Sequence, residues 1–554
     1  ERAPLGSFAL IEIGARTVKK VKGAEAPIGF MYDKVCTWLV KDSTNLAAWA
    51  ALYGIVRLVL TKTPGMKKGF NEVPSIKEKV RRLVDTCDVE RAWKEALPPK
   101  KKGAAAGADL LQHSIEDDVK VVEAYIEEFQ VGKAVARCTP SPLVPLNDLT
   151  RQTVASKFKR TRLNEQQLWA DFAGKHGPTS DEIENAFKVS GTQELHAITI
   201  GTKLINCLQS NRMASATGGR AEHLQAAVAQ GGEKLALVVA MMGNDLVPLE
   251  VRMQNKVQEG VTLCKPNDDP ADTSVPKWEE NGVRPVLAQE PLAKAGCKAK
   301  VAAWTKGVQS RLVQAGAVGT GVSSGGAAGA KASQAVYECY PNAHGNFKDI
   351  SNAFPELAHA AIFASAEKLE PLMPGYCRHL AANLTFIQVA YFTNDKGERE
   401  RIESDDGTGM GTTDGSLIFD TTYATEVLEP LKEMFPFPKM VMLAGNHDDL
   451  IYFANNDYFA AISNEYDRLV KEKCDNRPNQ KKDIILTKPG LEGTDHDVRR
   501  VLHQLNEWDT KPRRIVHAWN FNGVSIGLHS ERVKAAKVKG LQYKAMLEKI
   551  INLV

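Results

Sequence analysis

Long apolar runs are missing from this chain. Its most apolar window, Leu46 to Leu60, is interrupted by Arg57 and is too short to span a bilayer, so no membrane role is expected. Paired cysteines are missing too. The nine cysteines, at positions 36, 87, 138, 207, 264, 297, 339, 377 and 474, include no Cys-x-x-Cys pair, and an odd number cannot all bridge. That scatter fits free, mostly buried thiols in a reducing compartment and argues against a disulfide framework or a zinc ribbon. A dominant charge is absent as well: 71 Lys and Arg against 67 Asp and Glu leave +4 over 554 residues, which neither demands nor excludes nucleic acid. No secretory leader is read at the start, so the expected location is the cytoplasm or a virion. Several catalytic signatures are also lacking, namely Asp-x-His, Gly-His-x-His, the Walker A loop and His-Glu-x-x-His.

What remains is an ordinary globular composition, 43% apolar and 25% charged, long enough for two to four units. Amphipathic helices dominate the first third. Ile115, Val119, Val122, Ile126 and Phe129 recur at helical spacing over Ser114 to Gln130. A second helix is expected to start at Thr179, with Glu182 three residues on completing a capping box and Ile183, Ala186 and Phe187 turned inward. Lys100 to Gly107 reads as an exposed linker, Pro140 to Pro145 as a break, and Asn267 to Pro285 as a long polar loop. The Gly/Ala/Ser tract 315–332 reads as a flexible connection or a close-packing segment, not a phosphate cradle. After about residue 384, short apolar runs of strand type (Phe386 to Phe392, Leu417 to Phe419, Met440 to Leu443, Val524 to Leu528) alternate with helices, notably Thr422 to Met434 and Tyr458 to Lys473. The expected class is α+β, a mainly helical N-terminal body with a mixed α/β C-terminal region. The expected units are 1–139, 140–314, 315–383 and 384–554.

One tetrapeptide carries chemistry. Lys439 to Ala444 reads as a buried strand running into Gly445-Asn446-His447-Asp448. This resembles the calcineurin-like metallophosphoesterase family. The resemblance implies Asn446 as a metal ligand and His447 as the group contacting phosphate. It also implies a later metal ligand at His529, after the strand Phe521 to Leu528. The family's earlier Asp would be Asp245, after Leu235 to Met242 read as a strand, or alternatively Asp420. Such an enzyme would use divalent metal ions; otherwise no cofactor is expected. The resemblance covers at most the last third of the chain.

Other patterns read as structure. Asp495-His496-Asp497 fits a helix cap, His503 and His517 fit hydrogen-bonded imidazoles, and Gly321-Val322-Ser323-Ser324-Gly325 lacks the strand a nucleophile elbow needs. Lys157, Lys159, Arg160 and Arg162 form a local basic cluster that could meet phosphates. With no complete catalytic constellation, the leading expectation is a self-assembling shell subunit of capsid or nucleocapsid type, with copies of itself as partner. A metal-dependent phosphoesterase and an RNA-binding nucleoprotein are the alternatives.

Overall fold

The computed structural model describes residues 22–61, 73–86, 91–92, 143–158, 165–209, 213–265, 277–409, 411–479, 482–488, 514–521, 524–534 and 536–537. The expected helix at 114–130, the linker at 100–107, the Asp495–Asp497 trio and His503 lie outside them. Among the described residues no helix is long and apolar enough to cross a membrane.

The class is α+β, helical in its first half and mixed in its second. The first body is built on α1 (Glu25–Lys41), α2 (Leu46–Val59) and α3 (Val73–Thr86), followed by α4 (Asp148–Ala155) and α5 (Glu165–His176). Asn45 caps α2 by accepting from Ala48 N. The expected capping box is present: the Thr179 hydroxyl accepts from Glu182 N while the Glu182 carboxylate accepts from Thr179 N, opening α6 (Ser180–Glu184). Ile183, Ala186 and Phe187 are buried behind it. Then come α7 (Thr192–Asn206), α8 (Ala221–Val228), α9 (Glu233–Met242) and α10 (Leu249–Asn255). One apolar core runs from Ala24 through Val80 and on through Ala186 to Ala295.

Leu235 to Met242, read as a strand, is the helix α9. Its residues are apolar all round because both faces are covered, by α1 on one side and by α7 on another. Gly201 lets α7 approach closely: a Cβ there would meet Ala236 O of α9 at 1.8 Å.

Two sheets follow. β1 (Val257–Cys264) and β2 (Val283–Ala288) form a hairpin, and the expected polar loop therefore ends early: Pro285 sits in β2, opposite Thr262. β2 is an edge strand, where proline's missing N–H is tolerated. After α11 (Pro291–Ala315) and α12 (Gly325–Cys339) comes β3 (Ala343–Lys348), then α13 (His359–Leu369) and α14 (Tyr376–Leu384). β4 (Gln388–Thr393), as expected from Phe386 to Phe392, pairs parallel to β1 and antiparallel to β5 (Arg399–Ser404), giving the order β2-β1-β4-β5.

Leu417 to Phe419 is not a strand. It lies in α15 (Gly415–Tyr423), which continues through a π-turn into α16 (Glu429–Met434), with Pro430 in the first turn where its absent N–H is harmless. The expected strand and helix that follow are found as β6 (Met440–Asn446), its partner β7 (Asp449–Asn455) and α17 (Asn456–Cys474). With β8 (Ile484–Leu486) and β9 (Arg514–Val516) they build a second sheet in the order β9-β8-β3-β7-β6, central β3 antiparallel to both neighbours. β10 (Ala518–Phe521) and β11 (Val524–Gly527) make a separate hairpin. The Gly/Ala tract is not a flexible connection but packing material: Ala317 bridges Gly445 at the edge of β6, and a Cβ on Gly325 would meet Val318 O at 1.9 Å.

Candidate functional site

The Gly-Asn-His-Asp motif is the tip of the β6–β7 hairpin. Asn446 pairs with Asp449, leaving His447 and Asp448 as a two-residue turn. His447 has φ 58°, the left-handed region that such turns normally give to glycine. A strained non-glycine turn is worth examining for function.

Beside this tip stands the end of β3. Lys348 pairs with Leu450, the last pair of the ladder, so Asp349 just after it and Asp449 just before Leu450 lie at the same end of the sheet. Asp349 is fixed from the other side: its carbonyl accepts from Asn479 N at 2.8 Å and its carboxylate from Asn479 Nδ2 at 2.6 Å, with Lys482 Nζ 3.4 Å away. Behind it, Lys348 is wholly buried between Asp467 (3.0 Å) and Asp483 (2.6 Å), which anchors the strand. Three carboxylates, Asp349, Asp448 and Asp449, thus crowd the sheet's end. Burial, then the field of Asp349, pushes the Asp448 carboxyl up; burial, then Asp448 and Asp349, pushes Asp449 up to about 6. Like charges gathered in this way call for a cation.

Asp420 approaches from α15. It is buried, and its Oδ1 lies 3.0 Å from His447 Nδ1, the contact that, ahead of opposing burial, raises the His447 pKa. Its Oδ2 has no hydrogen-bond partner. Gly319 lines this pair: a Cβ there would fall 2.9 Å from His447 Nδ1 and 3.0 Å from Asp420 Oδ2.

A basic group flanks the acids. Lys157, just past the end of α4, reaches Asn352 Oδ1 at 3.4 Å, three residues beyond Asp349. Burial lowers its pKa to about 8, with Lys265 and Arg284 of the β1–β2 hairpin adding to the effect and Glu356 opposing it. Of the expected basic cluster, Lys159, Arg160 and Arg162 lie outside the described residues.

The ligand set implied by the phosphoesterase resemblance does not come together. Only Asp420 and His447 meet. Asn446 occupies the last paired position of β6, exposed His529 has Arg532 beside it, and Asp245 belongs to a different network. Asp245 follows a helix, so the strand-to-ligand geometry the resemblance requires is missing there. His517 is satisfied by the Thr487 carbonyl at 3.1 Å, and Ser324, not a strand, precedes α12.

That second network lies at the other end of α15. Asp245 faces Lys300, His379 and Asn383, and His379 in turn faces Asp414, the residue preceding α15, with Nε2 to Oδ2 at 3.0 Å. Burial opposes ionisation of both carboxyls. It is outweighed by Lys300 and His379 at Asp245, and by Lys256 and His379 at Asp414, so both stay well below the usual carboxylate range. Among the described residues, the one group of three ligand-type side chains whose donor atoms all lie within 4.8 Å is Cys297, His379 and Asp414.

Sequence reasoning missed Asp349, Asp449, Lys265 and Arg284. The Asp448-Asp449 doublet directly after His447 was a visible signal; Asp349 was not, because its partner is 100 positions away and is set by strand register. No protein-family model matches the chain, and no curated protein matches it.

Proposed function

We propose that the chain is a divalent-metal-dependent nucleotidyl transferase, with Asp349, Asp448 and Asp449 as its metal-binding carboxylates. The observation that carries this reading is the pairing of Lys348 with Leu450, whose chain neighbours Asp349 and Asp449 therefore lie at one end of the sheet beside the Asp448 turn. The donor set is all carboxylate oxygen, without sulfur or imidazole, which suits Mg²⁺ or Mn²⁺ over zinc. Their oxygens do not converge on one point, and they need not: in two-metal sites the ions sit about 3.5–4 Å apart and share ligands. When bound, such ions stabilise the attacking and departing oxygens of an in-line phosphoryl displacement.

The rest of the work falls to the chain. Asn479 and Lys482 hold Asp349 in place, and the β6–β7 turn holds Asp448 and Asp449. Lys157, Lys265 and Arg284 sit in one another's field, and the place of Lys157 next to Asn352 suits the phosphates of a nucleoside triphosphate. A cationic group beside the phosphates would stabilise the charge on the departing pyrophosphate.

The test is incorporation of a labelled nucleoside triphosphate into acid-insoluble product on a homopolymeric RNA template with a primer, in Mg²⁺ or Mn²⁺. Asp448→Asn and Asp349→Asn should each lower incorporation by about 10²-fold or more. Incorporation unchanged by both substitutions would refute the assignment. Closed particles on an electron micrograph, with no metal-dependent incorporation, would favour the shell subunit expected from the sequence instead.

A further inference from the structure

We infer that Cys297, His379 and Asp414 form a zinc site that ties α11, α14 and the start of α15 together. The three side chains are 7%, 3% and 2% exposed, and they come from elements 35 or more residues apart. Cys297 Sγ lies 3.9 Å from His379 Nε2, which lies 3.0 Å from Asp414 Oδ2. Tetrahedral zinc with ordinary bond lengths would set those pairs about 3.6 and about 3.4 Å apart, so shifts of a few tenths of an ångström suffice. Thiolate, imidazole and carboxylate together suit zinc better than magnesium or calcium.

Two further observations point to a ligand. The second Asp414 oxygen, Oδ1, is buried without a hydrogen bond; the nearby Thr412 hydroxyl, which lowers the Asp414 pKa, donates to the Gly409 carbonyl at 2.9 Å. On the far side of the imidazole, His379 Nδ1 lies 3.0 Å from Asp245 Oδ1, and Asp245 is itself held by Lys300 and by Asn383 Nδ2. Lys300 Nζ and Asn383 Nδ2 also lie 3.3 and 3.1 Å from Nδ1. A carboxylate on the distal nitrogen is the usual support of a zinc-bound histidine: with the Nδ1 proton held by Asp245, Nε2 would turn from Asp414 to the metal once its own proton leaves.

Charge balances. One proton leaves the His379–Asp414 pair, one leaves the Cys297 thiol, and a doubly charged ion enters, so the buried cluster keeps its net charge. Lys256 Nζ sits 3.9 Å from Asp414 Oδ2, beyond hydrogen-bond length. The three ligands line one pocket together with Arg252, Lys256, Gln289 and Lys300. The site stands apart from the proposed transferase chemistry: its donors include none of Asp349, Asp448 or Asp449.

Metal analysis of the full chain, purified without chelator, should find about one zinc per chain. Cys297→Ala and His379→Gln should reduce this to background, while Asp448→Asn should leave it unchanged. Should those two variants fail to fold, cobalt added to chelator-treated wild-type protein gives an independent reading. Tetrahedral visible bands together with a near-ultraviolet thiolate charge-transfer band support the site, and Asp245→Asn should weaken the cobalt affinity about 10- to 100-fold. Wild-type protein with zinc at background and no cobalt spectrum would overturn the inference. So would zinc that survives in folded Cys297→Ala.

Discussion

Asp349 and Asp449 flank the last pair, Lys348 with Leu450, of two antiparallel strands whose register is fixed by six residue pairs starting from Ala343 with Asn455. Each carboxylate sits in the other's field, an unfavourable contact that Lys482 and His447 offset only in part. Asp449→Asn is therefore expected to leave thermal stability in chelator unchanged or slightly raised. It should also reduce the rise in melting temperature that Mn²⁺ produces in the wild type. Thermal melts with and without Mn²⁺ check both halves; an undiminished Mn²⁺ response would place the cation elsewhere.

Lys157 supplies the pH test. Its folded pKa is lowered to about 8, so between that value and the ordinary lysine range the folded chain holds fewer protons than the unfolded one. Stability of the ligand-free protein should therefore rise with pH across this window, because the penalty of the crowded charge is fully present below it. Nucleoside triphosphate affinity should do the opposite and fall as pH climbs through about 8. Lys157→Arg keeps the charge and should flatten that decline. Titration of a fluorescent nucleotide at several pH values measures it; parallel profiles for both proteins would remove Lys157 from the binding site.

Much of the fold was legible where local chemistry decides it. The Thr179–Glu182 capping box and the strands near Phe386, Met440 and Val524 follow from patterns a few residues long. Leu235 to Met242 and Leu417 to Phe419 misled for a shared reason: a short, wholly apolar run is equally suited to a central strand and to a helix buried on all sides. The site was half legible. Gly445-Asn446-His447-Asp448 marks the turn that the proposed site uses, yet the resemblance it carries emphasises Asn446 and His447, whereas the proposal rests on Asp448 and Asp449. Asp349, Lys265 and Arg284 had no local signature; only strand register and hairpin packing bring them in.

The Asp420–His447 contact predicts a linked titration. His447 has a raised pKa, with the Asp420 bond as its first cause, so its contribution to stability is complete below the ordinary histidine range. That contribution is lost as pH rises through the folded value. Asp420→Asn should return the His447 resonance to ordinary titration in NMR and remove this segment of the stability profile. An unmoved His447 titration would mean that the neighbouring Asp448 and Asp449, not Asp420, set it.

Gly319 and Gly325 test whether tract 315–332 is packing material. At Gly319 the added methyl would meet side-chain atoms of His447 and Asp420, which can shift a few tenths of an ångström; the expected loss is about 1–3 kcal/mol. At Gly325 it would strike the Val318 carbonyl, a backbone atom whose own residue is tied to Gly445 through Val318 N to Gly445 O at 2.7 Å. Relief there requires moving the strand edge that carries the hairpin, so Gly325→Ala should destabilise more than Gly319→Ala and broaden the signals of residues 445–449. Urea unfolding of the two variants ranks them. Equal, negligible losses would mean the tract moves freely, as the flexible connection read from composition would have it.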